Sequence, residues 1–122
     1  MNALILVDHG SKLDAANRVL DDAAARVTAR GGFGLVMAAH MELAGPTVGE
    51  AFDACVAAGA EDVTVALVFL GPGMHSTRDI PRMAREAAAR HPGVRWRLTE
   101  PLGASEGVIE AVLERVREAE GR

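Results

Sequence analysis

Residues 3–7 read ALILV, five apolar side chains in succession with no polar residue between them. A strand with one solvated face alternates apolar and polar side chains. An unbroken apolar run is the pattern of a strand covered on both faces, as in a parallel sheet. Working outward, short strand-like runs recur at 35–39 (LVMAA), 63–70 (VTVALVFL) and 94–98 (VRWRL). Helical stripes lie between them. Val19, Leu20, Ala23, Ala24 and Val27 make one face, which Gly31-Gly32 ends. Thr47 and Glu50 have capping-box spacing ahead of Val48, Ala51, Phe52, Cys55 and Val56, and Gly59 ends that helix. Asp79 and Pro81 suit the start of a helix running to about Arg90, closed by His91-Pro92-Gly93. A last helix, from about Ser105 to Glu118, is expected to bury Val108, Ile109, Val112, Leu113 and Val116. The order βαβαβαβα predicts a four-stranded, mostly parallel sheet with helices on both faces and right-handed crossovers. The expectation is a single three-layer α/β domain over residues 1–122.

Composition narrows the class. The chain has 122 residues, 49% of them apolar, enough for a core without staples. Its 13 Lys+Arg against 17 Asp+Glu give a net charge of −4, the wrong sign for a nucleic-acid binder. One cysteine excludes a disulfide framework and any CxxC-based zinc or redox site. No apolar run reaches a membrane span, and the start shows no basic leader, so a cytoplasmic protein is expected.

In such folds ligands sit outside the carboxyl ends of the strands. That edge carries Asp8-His9-Gly10-Ser11-Lys12 after the first strand and His40-Met41-Glu42 after the second. The third strand is followed by Gly71-Pro72-Gly73-Met74-His75-Ser76-Thr77-Arg78-Asp79, and the fourth by Glu100-Pro101-Leu102-Gly103. Three of the four histidines fall there; the fourth, His91, is at a helix C-terminus. Imidazole and carboxylate are the usual ligands of divalent iron, cobalt, nickel and zinc. Two histidines and one carboxylate with open positions describe a metal held loosely, whereas a structural zinc site is closed by four ligands. His9, His75 and Glu42 therefore form the candidate set. Gly71 and Gly73 suit a loop that bends sharply beside a ligand. Each residue also has a plainer reading. A histidine after a strand can cap a helix or bond a carbonyl, and Glu42 can be a solvated loop carboxylate. His40 reads as a strand-end core histidine, and Cys55 as buried packing. Lys12, Arg18, Arg78 and Arg82 are solvated charges by default, and anion ligands only if they line the site.

Taken in order, LILVDHGSK (4–12), AAHMELAGPTVGEAFDACVAAGA (38–60), VTVALVFLGPGMHSTRDIP (63–81), HPGV (91–94) and PLG (101–103) resemble the small sirohydrochlorin chelatases, class II tetrapyrrole metal chelatases. The resemblance runs along nearly the whole chain. It implies insertion of Co²⁺ or Fe²⁺ into sirohydrochlorin, on the way to cobalamin or sirohaem, with the divalent metal as substrate and no organic cofactor. His9 and His75 match the family's metal-binding, proton-accepting histidines, and Glu42 its acidic position. Ser11, Lys12, Gly73 and Arg78 stand where the tetrapyrrole and its carboxylates would be held. Short members of the family pair with themselves, so a homodimer is expected. This chain departs from the pattern at Ala66-Leu67, where a proline often stands, at Ser76-Thr77, and at Gly45 in place of an acid.

Three rival readings remain at this level. Phosphoryl transfer through a nucleophilic His9 looks for Arg before His-Gly, and Asp8 would repel phosphate. A non-enzymatic divalent-metal carrier would use the same histidines. Insertion of Ni²⁺ into a related tetrapyrrole would use the same chemistry on another substrate.

Overall fold

The computed structural model describes residues 1–73 and 78–122. Its elements run β1 (Asn2–Asp8), α1 (Asp14–Arg30), β2 (Leu35–His40), α2 (Val48–Ala57), β3 (Asp62–Leu67), α3 (Ile80–Ala89), β4 (Arg95–Leu98) and α4 (Glu106–Glu120). The four strands are all parallel, in the order β2-β1-β3-β4. β1, the ALILV strand, is central and buried on both faces, as its unbroken apolar run requires.

The two faces are packed differently. On one, Ala3, Ile5, Val7, Val63, Val65 and Leu67 meet Phe52, Ala84 and Ala87 of α2 and α3. On the other, Leu4, Leu6 and Ala38 meet Leu20 and Ala24 of α1. The capping box forms as the spacing predicts: Glu50 N–H donates to Thr47 Oγ1, and Thr47 N–H donates to Glu50 Oε1 at 2.8 Å. The middle of α2 is clasped to the end of α3 by Asp53, which takes a bond from Arg90 at 3.0 Å and lies 2.7 Å from His91 Nε2. The His91 ring stacks on Phe52. The His91 hydrogen bond, helped by Arg90, holds the Asp53 carboxyl below its ordinary value despite an opposing desolvation cost.

Three expectations need correction. The third strand ends at Leu67, and Leu70 is exposed. Its neighbour β1 stops at Asp8, so after Val68 N–H bonds Val7 C=O the ladder has no further partner. Val19 is 70% exposed, because Leu20 and Ala24, flanked by the half-buried Ala23 and Val27, are the residues α1 turns to the sheet. Most important, α4 buries none of its residues; Ile109, Val112, Leu113 and Val116 are 40–54% exposed. The outer strand explains why. On β4 the apolar Trp96 and Leu98 face the α2–α3 side, and Arg95 and Arg97 stand exposed on the other. Arg97 there bonds Asp62 and Thr64, leaving a polar surface that gives an apolar helix nothing to cover.

Candidate functional site

The carboxyl ends of β1 and β2 are laced together by their backbones. Asp8 and His40 are register partners, the last of the β1–β2 ladder. Beyond them Met41 N–H donates to Asp8 C=O at 2.9 Å, and Glu42 N–H donates to His9 C=O at 3.1 Å. His9 and Glu42 are thus brought side by side on adjacent loops, both exposed at the sheet edge. Gly10 makes this approach feasible. Its φ is +85°, and a Cβ there would lie 1.9 Å from the Glu42 carbonyl oxygen, closer than atoms can come.

The histidine is also braced from the segment that follows β3. Its ring meets Phe69 edge-on. Phe69 is buried and its carbonyl accepts from Leu102 N–H at 2.8 Å, which ties the segment after β4 to the same edge. Below the ring, Asp8 Oδ1 accepts from Gly10 N–H at 3.0 Å and lies 2.5 Å from Nδ1 of His40. The structure agrees that His40 is a strand-end core residue, and it supplies the partner that buries it.

The other expected residues divide. Ser11 acts within its own turn, where its Oγ accepts from Leu13 N–H at 3.0 Å and its N–H and C=O are held by the Asn17 amide. Lys12 is exposed beside it. Arg78 is exposed at the edge but bonded to Asp79 at 3.4 Å, and Arg82 approaches the same carboxylate at 3.9 Å. The chain bends at Leu70-Gly71, but neither Gly71 nor Gly73 has a positive φ and a Cβ on either meets nothing within 4 Å, so the bend does not itself require glycine there. His75 lies outside the described residues, with Met74, Ser76 and Thr77. Among the described residues no three His, Cys, Asp or Glu side chains gather closely enough to hold a metal ion. Of the set His9, Glu42 and His75, the first two belong to the described residues and adjoin.

Two participants escape a reading of the sequence. Phe69 is legible there only as strand core. Asp8 shows its charge, yet Asp two residues before Gly is also the signature of a side chain that bonds its own turn. A depression of about 400 Å³ lined in part by Arg85, His91 and Trp96 opens elsewhere, at the amino ends of the strands. It is remote from this edge. Among the described residues no helix is long and apolar enough to cross a membrane.

Comparison with known proteins places the same residues in a wider context. A family model described as CbiX matches residues 3–119. The chain is 36% identical over 116 residues to the chloroplastic sirohydrochlorin ferrochelatase of Arabidopsis thaliana, covering 95% of this chain and 52% of that protein. It is 33% identical over 141 residues to the sirohydrochlorin cobaltochelatase of Methanopyrus kandleri, covering 99% of both. Among solved structures, the sirohydrochlorin chelatase SirB from Bacillus subtilis subspecies spizizenii, in complex with cobalt, superposes with a TM-score of 0.88 at 30% identity. That match covers 96% of this chain and 50% of SirB. The chain thus spans about half the length of the plant and Bacillus proteins and nearly all of the archaeal one.

Proposed function

The chain belongs to the CbiX family, and on that premise we propose that it inserts a divalent metal, Co²⁺ or Fe²⁺, into sirohydrochlorin. The observation that carries this reading is the convergence of His9 and Glu42 at the carboxyl edge, with Glu42 N–H bonded to the His9 carbonyl. The names of relatives similar in sequence, sirohydrochlorin ferrochelatase and sirohydrochlorin cobaltochelatase, support the substrate and the two metals.

The chemistry asks little beyond these groups. One M²⁺ replaces two pyrrole protons, so the site needs weak metal ligands that also accept protons. Neutral imidazole does both near a pKa of ~6.5, and a carboxylate can take the second proton. We assign His9 to hold the metal, Glu42 to share it or accept a pyrrole proton, and His75 to complete the set. Lys12 suits a tetrapyrrole carboxylate at the rim. Arg78 would do so only by giving up Asp79. With a net charge of −4, attraction of a polyanionic substrate has to be local.

The reading includes a homodimer and a cytoplasmic site of action. A tetrapyrrole is about 15 Å across, and a domain of this length has a radius of gyration of about 14 Å. One edge therefore covers one side of the ligand. The exposed Ile109, Val112, Leu113 and Val116 of α4 are the apolar surface on which a second copy would sit, since this chain's own sheet leaves them uncovered.

Incubation with sirohydrochlorin and Co²⁺, Fe²⁺ or Ni²⁺, followed by absorption, tests the activity. Acceleration over the spontaneous rate supports it, and none with any metal sinks it in favour of a carrier. His9→Ala should abolish the rate and Glu42→Gln lower it at least about tenfold, each changing stability by less than about 1 kcal/mol. Light scattering tests assembly: a mass near 12.8 kDa refutes the dimer, and twice that supports it.

A further inference from the structure

We propose that Asp8 and His40 form a positioning pair that fixes the distance between the two metal-facing loops, acting through His9 and Glu42 without touching metal. The inference rests on the assignment of those two residues above. Among the described residues His40 is the one buried polar residue, at 2% exposure. Burying an imidazole costs free energy that a leucine or phenylalanine in the same place would not, so its hydrogen bond calls for a role beyond packing. The geometry supplies that role. A single oxygen, Asp8 Oδ1, accepts from the last residue of β2 through His40 Nδ1 at 2.5 Å and from the turn after His9 through Gly10 N–H at 3.0 Å.

His9 therefore lies between two residues that are each tied to the β2 side. Asp8 is bonded to His40 and Met41, and Gly10 is pressed on the carbonyl of Glu42. His40 also fixes the other loop, since its N–H donates to the Pro46 carbonyl at 2.9 Å and so closes residues 40–46, which carry Glu42. Remove the imidazole and the Asp8 carboxylate keeps its bond to Gly10; the backbone bonds persist, but the side-chain link from Asp8 to the end of β2 is lost. Metal ligands must be held within about 0.5 Å to act together, and partners of this kind typically change metal affinity about 10–100-fold.

The test is Co²⁺ titration of the full chain without tetrapyrrole, read by visible absorption, on wild type, His40→Leu, His40→Asn and Asp8→Asn. The asparagine at position 40 returns an amide N–H near the place of Nδ1. We expect His40→Leu to weaken Co²⁺ binding about 10–100-fold, and His40→Asn to recover to within about threefold of wild type. Asp8→Asn, which keeps an oxygen for Gly10 and loses the charge, should fall between and stands in if His40→Leu does not fold. In turnover the metal KM should rise with the tetrapyrrole KM unchanged. Wild-type Co²⁺ affinity in His40→Leu, or in Asp8→Asn if that is the variant that folds, overturns the pair. Equal loss in His40→Leu and His40→Asn overturns it too, because that marks His40 as a ligand. A wild-type chain that binds Co²⁺ but does not metallate sirohydrochlorin overturns the proposed function, while the titration still decides the pair.

Discussion

The imidazole of His9 stands edge-on against the ring of Phe69, centroids 4.5 Å apart and planes at 87°. A residue just after the third strand thus braces a histidine just after the first. Ring-edge contacts of this kind are worth about 0.5–1.5 kcal/mol. Phe69→Leu should keep an apolar but smaller side chain and lose that contact, costing about 1–2 kcal/mol in urea unfolding. Co²⁺ binding should weaken about three- to tenfold, below the usual effect of losing a hydrogen-bonded partner. Unchanged Co²⁺ binding would show that the ring only packs.

Gly10 offers a sharper case. At φ +85°, with the Glu42 carbonyl 1.9 Å from any added Cβ, Gly10→Ala has to move one loop off the other. We expect a loss of about 2–4 kcal/mol and of metal binding together. Gly71→Ala, where a Cβ meets nothing within 4 Å, should change stability by less than about 0.5 kcal/mol in the same measurement.

Cys55 is fully buried on α2, and desolvation pushes its thiol up to about 11. At pH 8 its thiolate fraction is then roughly two orders of magnitude below that of a free cysteine. A thiol reagent should modify the native chain at least about 100-fold more slowly than the chain in urea. Rapid native labelling would mean that α2 opens.

The Asp53 clasp predicts an acid-side dependence. Its carboxyl titrates below 3.8 in the folded chain, so it contributes stability above that value and loses it as pH falls through the folded pKa. Asp53 and Arg90 are half exposed, which limits the effect to about 0.5–1 kcal/mol at neutral pH. Asp53→Asn should lower the melting temperature by a few degrees at pH 7 and converge on wild type near pH 2. A constant difference across that range would assign the loss to packing on Phe52.

The legibility of this fold follows from what a sequence pattern can report. Thr47 and Glu50 are three residues apart on one chain, so their reciprocal capping is readable in full. Val108, Ile109, Val112, Leu113 and Val116 do form a stripe, but periodicity says that a helix has an apolar face, not that its own sheet covers it. Leu70 reads as strand because strand propensity is local, whereas the end of a strand is set by where its neighbour stops. At the site, the rule of the carboxyl edge brings His9 and Glu42 together without coordinates. Asp8 with His40, and His9 with Phe69, lie beyond its reach. Such pairs depend on strand register and ring orientation, which separations of 32 and 60 positions do not encode.

The Asp8–His40 register also limits how this scaffold can change. Sliding β2 by one residue along β1 would turn the two side chains to opposite faces, and sliding by two would displace them by about 6.6 Å. Metal–ligand bonds are near ~2 Å and tolerate a few tenths. No permitted slip is small enough to retune such a site. The strand frame is therefore a ratchet with one useful tooth, and if the proposed metal site is right, any change of ion has to proceed through side-chain length and loop composition at fixed pitch.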